Sequence, residues 1–230
     1  MPEFNTQQRA AVEYSAEPLL IIAGAGTGKT TTIVGRMGYL IQTQGASPAS
    51  ILALTFTNDA ADHLKKKLTD EIGDSGSNIH ACTFHSFAQS QTNTYYKELE
   101  YSELPTVMNR GDIYFLLRQK FDELKQLRSI LFRRNPVQAI QCFQSIFEAF
   151  RQNLLSESEL KTLQKQELDR IQSITDKKEL DKIFQLADLV DVYPQYQVWK
   201  KENNWIDYGD MIANLWKLIE SNPVVLAELQ

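Results

Sequence analysis

The sequence predicts an α/β fold, in which a domain built on a parallel β-sheet carries an inserted, mostly helical subdomain. Short apolar runs at residues 19–22, 51–54 and 79–82 are separated by stretches with helical periodicity. A glycine-rich loop directly follows the first of these runs. From about residue 87 to 205, strand-like runs disappear and apolar residues recur at helical spacing. Alternating strands and helices of the first kind build a parallel sheet that helices cover on both faces.

Composition indicates a soluble globular protein. The chain has 230 residues, of which 43% are hydrophobic and 23% are charged. No apolar run approaches the length of a membrane span and the N-terminus lacks a signal-peptide pattern, so we expect a cytoplasmic protein with no membrane partner. Its 2 cysteines exclude a disulfide framework and a cysteine-based zinc site. The net charge of −5 argues against coating of nucleic acid through bulk charge, although a local binding groove stays open.

The first apolar run, Leu19–Ile22, is predicted to be a buried strand that leads into Ala-Gly-Ala-Gly-Thr-Gly-Lys-Thr at residues 23–30. Glycines lack a Cβ, so the backbone can turn tightly and point successive N–H groups at phosphate oxygens. A helix predicted from Lys29 to Gln44 adds its positive N-terminal end to the same place. In such a loop, the lysine reaches the β- and γ-phosphates and the hydroxyl of Thr30 holds Mg²⁺. The motif therefore predicts a site for ATP or a relative.

The next two apolar runs are each followed by polar residues. A helix is predicted to begin at Asn58 as its N-cap and to stop at Gly73. Its predicted buried stripe consists of Ala60, Ala61, Leu64 and Leu68. Residues 55–58 and 83–86 fall at the carboxyl ends of the second and third predicted strands, where parallel sheets bind ligands.

The predicted helical region contains one basic cluster. Between residues 110 and 134, seven basic residues face only three acidic ones, a local excess of 7 − 3 = +4 in an acidic chain. A solvated helix face is the commoner meaning of such a cluster, and contact with a phosphate backbone is the alternative. The basic residues are Arg110, Arg118, Lys120, Lys125, Arg128, Arg133 and Arg134.

Five segments resemble, in order and spacing, motifs of the UvrD/Rep/PcrA-type superfamily-one DNA helicases. They are Phe4–Arg9, Ala23–Thr30, Leu52–Asn58, Thr83–Phe87 and Trp205–Met211. The resemblance implies a RecA-like P-loop NTPase domain. Residues 1–88 would be the first part of its ATP-binding core, 89–204 the inserted helical subdomain, and 205–230 the return to the core.

The resemblance also implies a role for each matched residue. Gln8 would read the adenine base, and Lys29 and Thr30 would serve catalysis, with Thr30 as the magnesium ligand. The implied ATP-binding residues are Gln8, Ala23, Gly24, Ala25, Gly26, Thr27, Gly28, Lys29, Thr30 and Thr31. The implied DNA-binding residues are Phe56, Thr57, Asn58, His85 and Tyr208.

Several of these roles have alternatives. Gln8 alone reads as a surface glutamine, and Phe56 could pack into the core instead of stacking on a base. His85 could cap the helix that follows it, and Tyr208 could belong to a helical core. At two positions the sequence differs from the family's pattern. Asp59 replaces a common lysine, and Gly209 replaces an acidic residue, which predicts a looser helix start there.

ATP hydrolysis of this type needs an apolar strand that ends in Asp-Glu. The pair at residues 70–71 lies inside a helical pattern and the pair at residues 122–123 is predicted to lie mid-helix, so neither qualifies. We therefore expect an N-terminal piece of a longer helicase that ends before the acidic Walker B strand and has no turnover alone. Its implied partners are the C-terminal RecA-like domain of the same protein, single-stranded DNA and single-strand/duplex junctions, in repair or replication. A small P-loop kinase and a protein-interaction module with a degenerate nucleotide fold are the alternatives.

Overall fold

The computed structural model describes residues 3–15 and 18–229 and divides the chain into two compact units. The first unit covers residues 1–87 and the second covers residues 88–230. The predicted three-part division, 1–88, 89–204 and 205–230, stays a prediction.

The first unit combines helices with one pair of strands. Strand β1 (Leu52–Thr55) pairs in parallel with β2 (His80–Thr83), and the first residues of the two strands lie opposite each other, as do the last. Its elements are α1 (Thr6–Glu13), α2 (Lys29–Gln42), a 3₁₀ turn (Pro48–Ser50), β1 (Leu52–Thr55), α3 (Asn58–Ile72), α4 (Asp74–Ser77), β2 (His80–Thr83) and the start of α5 (Phe84–Thr94). The core between them is formed by Val34, Met37, Ala53, Leu64, Leu68, Ile79 and Ala81.

The segment Leu19–Ile22 is not a strand, so this prediction is wrong. Leu20 is 82% exposed and Ile22 is 89% exposed, and no regular element is assigned there. A strand needs a neighbour for its N–H and C=O groups, and in the described residues β1 and β2 pair only with each other. The local apolar pattern identifies a segment suited to a strand but does not supply its partner.

The start of α3 differs from the prediction by one residue. Thr57 is the N-cap, since its backbone is extended and its hydroxyl accepts the N–H of Ala60 at 3.2 Å. Ala60 then lies in the first turn and is exposed, so its place in the buried stripe was wrong. The other three stripe positions are buried, and the helix ends before Gly73, as predicted.

The second unit is mostly helical. Its elements are the end of α5, β3 (Thr106–Val107), α6 (Arg110–Lys120), a 3₁₀ turn (Phe121–Glu123), α7 (Ile130–Arg134), α8 (Pro136–Gln152), α9 (Glu157–Asp169), a 3₁₀ turn (Arg170–Ser173), α10 (Lys177–Glu202), β4 (Trp205–Ile206), α11 (Tyr208–Ser221) and α12 (Pro223–Leu229). Its core is aromatic: Phe143 and Phe147 stack at 5.5 Å, and Tyr196 lies 5.1 Å from Phe147, measured between ring centroids. These contacts join α8 to α10, the longest helix of the unit.

The strands are parallel, as the predicted fold class requires, but they do not form one sheet. Within residues 3–15 and 18–229 they form two separate pairs, β1 with β2 and β3 with β4. Helices make up most of the remaining described structure. Among the helices of residues 3–15 and 18–229, none has the length and the apolar character that a membrane span requires.

Candidate functional site

The glycine loop leads directly into α2. Gly26 and Gly28 have φ angles of +75° and +87°, the left-handed region in which a side chain is strained. Gly28 is the N-cap of α2, and residues 23–27 are exposed. The first turn of a helix presents N–H groups without partners inside the helix, so the loop and this turn offer donors to an anion.

The side chain of Lys29 lies across the loop. Its Nζ donates to the carbonyl oxygens of Ala23 at 2.8 Å and Gly24 at 2.6 Å. The hydroxyl of Thr27 donates to the same Gly24 carbonyl at 2.8 Å. An exposed ammonium thus sits beside the N-terminal end of α2, and this combination favours a polyphosphate.

Gln8 lies against the glycine loop, although the two are far apart in sequence. Its Nε2 donates to the carbonyl of Thr27 at 3.1 Å, and a Cβ added to Gly28 would lie only 2.8 Å from that nitrogen. Its Oε1 accepts the N–H of Asn5 at 3.0 Å, while the Asn5 side chain accepts the N–H of Gln8 at 2.9 Å. This capping box fixes the amide beside the loop, so the implied base-reading residue and the implied phosphate loop meet.

Two threonines follow Lys29 in the first turn of α2. Thr30 is half-buried, and the hydroxyl of Thr31 accepts from Nζ of Lys67 at 3.3 Å. The described part of the chain contains no group of three histidine, cysteine, aspartate or glutamate side chains that could hold a metal. A magnesium ion here would therefore rely on the Thr30 hydroxyl together with phosphate oxygens and water, a donor set that suits this ion.

One Asp-Glu pair is placed as the sequence predicts, whereas the pair at residues 122–123, predicted to lie mid-helix, follows the end of α6 at Lys120. Asp70 and Glu71 lie inside α3, and Asp122 and Glu123 lie in a 3₁₀ turn. Neither pair follows any of the described strands, so neither has the geometry of a strand-end magnesium ligand and water-orienting glutamate.

Two phenylalanine rings mark the carboxyl edge of the first strand pair. Phe56 follows β1 and is 91% exposed, and Phe84 follows β2. Their ring centroids are 5.4 Å apart, because parallel strands in register end at the same edge. The core-packing alternative for Phe56 is therefore wrong.

The helix starts beside these rings are capped by threonines. Thr57 caps α3, and Asn58 and Asp59 are exposed in its first turn. The helix dipole stabilises a carboxylate at this position, which accounts for Asp59 locally. In α5 the hydroxyl of Thr83 accepts the N–H of Ser86 at 3.1 Å. The cap is thus Thr83, and the capping alternative for His85, a half-buried residue of the first turn, is wrong.

Tyr208 belongs to the second unit. It is the first residue of α11 and is 51% exposed, so the helical-core alternative is wrong.

A buried ionic network, which the sequence analysis did not predict, includes the residues on either side of Tyr208 and Gly209, namely Asp207 and Asp210. Lys200 is 2% exposed, and its Nζ contacts carboxylate oxygens of Asp207, at 2.5 Å, and of Asp210. Tyr196 donates its hydroxyl to Asp207 at 2.8 Å, and Nε of Arg151 lies 2.8 Å from Asp210. Burial alone would raise the pKa of Asp207, but the charge and hydrogen bond of Lys200 hold it below its ordinary value. The network joins α8, α10 and α11.

Gly209 is part of the same arrangement. A Cβ at this position would lie 2.7 Å from the Cβ of Arg151, so a larger residue would push α8 away from α11. Asp207 and Asp210 form a capping box, with N–H to carboxylate distances of 2.9 and 2.8 Å. The predicted loose helix start is therefore wrong. The sequence did contain a signal for this helix start, because two aspartates three positions apart match the spacing of a capping box.

The basic cluster of residues 110–134 is partly neutralised by acidic residues of other helices and by one acidic residue of its own. Arg128 pairs with Asp191 at 2.6 Å, and Lys120 pairs with Glu123 at 2.9 Å. Nη2 of Arg110 lies 3.7 Å from Glu148. These contacts favour the solvated helix face over a continuous phosphate-binding surface.

Comparisons with known proteins give one family. Residues 4–230 match the UvrD/REP helicase N-terminal domain. The ATP-dependent DNA helicase srs2 of Schizosaccharomyces pombe is 29% identical over 224 residues, which are 95% of this chain and 24% of that protein. The ATP-dependent DNA helicase PcrA of Staphylococcus aureus is 45% identical over 82 residues, 36% of this chain and 11% of PcrA. UvrD1 of Mycobacterium leprae, also an ATP-dependent DNA helicase, is 46% identical over 83 residues, with the same two shares. The matched part is thus a quarter or less of each relative.

Proposed function

Because the chain belongs to the UvrD/REP helicase N-terminal domain family, we propose that it supplies the ATP-binding part of an ATP-dependent DNA helicase. The proposal depends on the contact of Gln8 with the glycine loop, because Gln8 and its partner Thr27 are 19 positions apart in the sequence. A base-reading amide and a phosphate-binding loop have to lie together if one nucleotide is to contact both.

In this proposal each part of the nucleotide has its own residues. The N–H groups from Gly24 to Thr31 bind the phosphates, and Lys29 leaves the carbonyls of Ala23 and Gly24 to pair with them. The remaining N–H of the Gln8 amide and a lone pair of its oxygen face the adenine edge. Bound Mg²⁺, next to Thr30, would neutralise phosphate charge.

DNA would contact the strand-end face. Phe56 offers an exposed ring on which any base can stack, which suits movement along single-stranded DNA of any sequence. Thr57 and Asn58 at the start of α3, together with His85, would contact phosphates. Tyr208 would contact DNA from the second unit. The whole protein would unwind duplexes at single-strand/duplex junctions, in repair or replication, together with a second RecA-like domain of the same protein.

The test is nucleotide binding by a Lys29→Ala chain. We expect the affinity for ATP–Mg²⁺ to fall at least tenfold, because charge-assisted hydrogen bonds to phosphate contribute about 1.5–3 kcal/mol. Calorimetric titration measures the affinity. The matched control is Lys66→Ala, which removes an exposed lysine of α3 and should bind ATP as the unmodified chain does. Equal ATP affinity in the two variants would overturn the role of Lys29.

A further inference from the structure

The position of α1 depends on α2. Helix α1 has 8 residues and buries only Val12 among its described side chains, so it is too short to be stable by itself. It packs against α2, the helix that begins at the glycine loop. Three further contacts with α2 and its loop fix how α1 lies.

The first contact is between Phe4 and Gly35. The three atoms nearest to a Cβ built on Gly35 all belong to the Phe4 ring, and this Cβ would overlap the ring. Gly35 is buried in the middle of α2 and has no left-handed backbone angle, so close approach explains the glycine here. The ring therefore sits directly on the backbone of α2, immediately before the capping box of α1.

The second contact is at the other end of α1. Nη1 of Arg36 donates to the carbonyl of Ala11 at 3.1 Å and to the carbonyl of Tyr14. These carbonyls belong to the last turn and the C-cap of α1, where C=O groups lack partners within the helix and carry partial negative charge. The last turn of α1 has no basic residue of its own. Arg36 therefore supplies the cationic cap from the neighbouring helix.

The third contact is the one between Gln8 and Thr27 at 3.1 Å. Because the oxygen of the Gln8 amide is held in the capping box, the amide cannot turn without breaking that box. Its direction is thus set by the position of α1 as a whole. That position is set by Phe4, Gly35 and Arg36, which we name the α1 clasp.

We propose that the residues of the α1 clasp are positioning residues for base recognition, which hold Gln8 at the distance from the glycine loop that an adenine nucleotide requires. None of them touches the nucleotide in this arrangement. The inference rests on the proposed function, since it assumes that Gln8 reads adenine. It adds that the base preference is determined two helical turns along α2, at Gly35 and Arg36.

The test compares ATP with GTP as ligands of the same chain, by calorimetric titration with Mg²⁺. We expect the unmodified chain to bind ATP more tightly than GTP, and we expect Gln8→Ala to remove the difference. We expect Arg36→Met and Gly35→Ala each to lower ATP affinity by roughly tenfold, the effect of losing one well-placed hydrogen bond, while GTP affinity stays the same. Gln42→Ala, at the exposed end of α2, is the matched control and keeps the preference for ATP.

A compensating variant separates positioning from general damage. In the double variant Phe4→Leu/Gly35→Ala the smaller side chain makes room for the new methyl group, so the preference for ATP returns. A double variant that folds, as judged by circular dichroism, yet does not regain the preference would overturn the proposal. The double variant gives this test even if the chain with Gly35→Ala alone does not fold.

The remaining outcomes distinguish the two proposals. If the unmodified chain binds no ATP, the proposed function fails. If Gln8→Ala loses the preference for ATP while Arg36→Met and Gly35→Ala retain it, the proposed function stands and the clasp is overturned. If Gln8→Ala retains the preference, base recognition does not depend on Gln8, and the clasp is overturned as well.

Discussion

At the scale of single residues, the exposure of Phe56 is the most informative observation. Burying a phenylalanine side chain contributes about 1.5–3 kcal/mol to folding, and a ring that is 91% exposed gives up nearly all of that gain. Its ring neighbour Phe84 is itself 41% exposed. The ring is therefore available to a ligand, which under the proposed function is a base.

We expect Phe56→Ala to weaken single-stranded DNA binding without changing stability. Base–aromatic stacking contributes about 1–3 kcal/mol per base, which corresponds to roughly 5- to 150-fold in Kd. Fluorescence anisotropy with labelled oligonucleotides of several sequences measures the affinity, and thermal melting measures the stability. The matched control is Phe115→Ala, which removes another aromatic side chain, 72% exposed, from α6. An equal loss in both variants would contradict a specific role for Phe56.

At the scale of elements, the buried network of Lys200 and two aspartates determines how α11 meets α8 and α10. Removing one member leaves a buried charge without its partner, and such changes typically cost about 3–5 kcal/mol. Neighbouring Lys201 offers a sharp contrast, because it pairs with Glu100 at the surface, where the two side chains are 54% and 66% exposed. Surface pairs of this kind contribute at most about 1 kcal/mol.

We therefore expect Lys200→Met to lower the free energy of unfolding by about 3–5 kcal/mol and Lys201→Met by about 1 kcal/mol or less. Urea titration followed by far-ultraviolet circular dichroism gives both values. The two variants lose the same charge from adjacent positions of α10, so net charge cannot explain a difference between them. Similar stabilities would show that the network does not hold the helices together.

The elements also show what the sequence could and could not predict. Helix α3 was predicted almost correctly, because its cap, its stripe and Gly73 are local signals. The strand at Leu19–Ile22 was predicted wrongly, since pairing is a property of two segments and only one was known. In the site, the motifs indicated Gln8 and Lys29. Lys200 and the α1 clasp were not foreseen, because their partners are fixed by packing between helices that no local pattern specifies.

For the molecule as a whole, the net charge limits how DNA could be bound, and the positions of the Asp-Glu pairs limit whether ATP could be hydrolysed. With a net charge of −5, the chain offers no bulk attraction to DNA, so the proposed DNA affinity would have to come from a local face such as that of Phe56. In the described residues neither Asp-Glu pair follows a strand, so ATP could bind without being hydrolysed. Binding and turnover are therefore expected to separate.

We expect the 230-residue chain to bind ATP without turnover, and the longest form of the protein that its gene encodes to hydrolyse ATP faster when single-stranded DNA is added. Phosphate release, measured with and without an oligonucleotide, tests both statements.

Stimulation by DNA supports a helicase, because hydrolysis is then coupled to the strand on which the protein moves. Phosphoryl transfer to an added acceptor, unaffected by DNA, would identify a kinase instead. A full-length protein with no turnover under either condition would identify an interaction module, and turnover by the 230-residue chain would show that an acidic pair outside any strand suffices for hydrolysis.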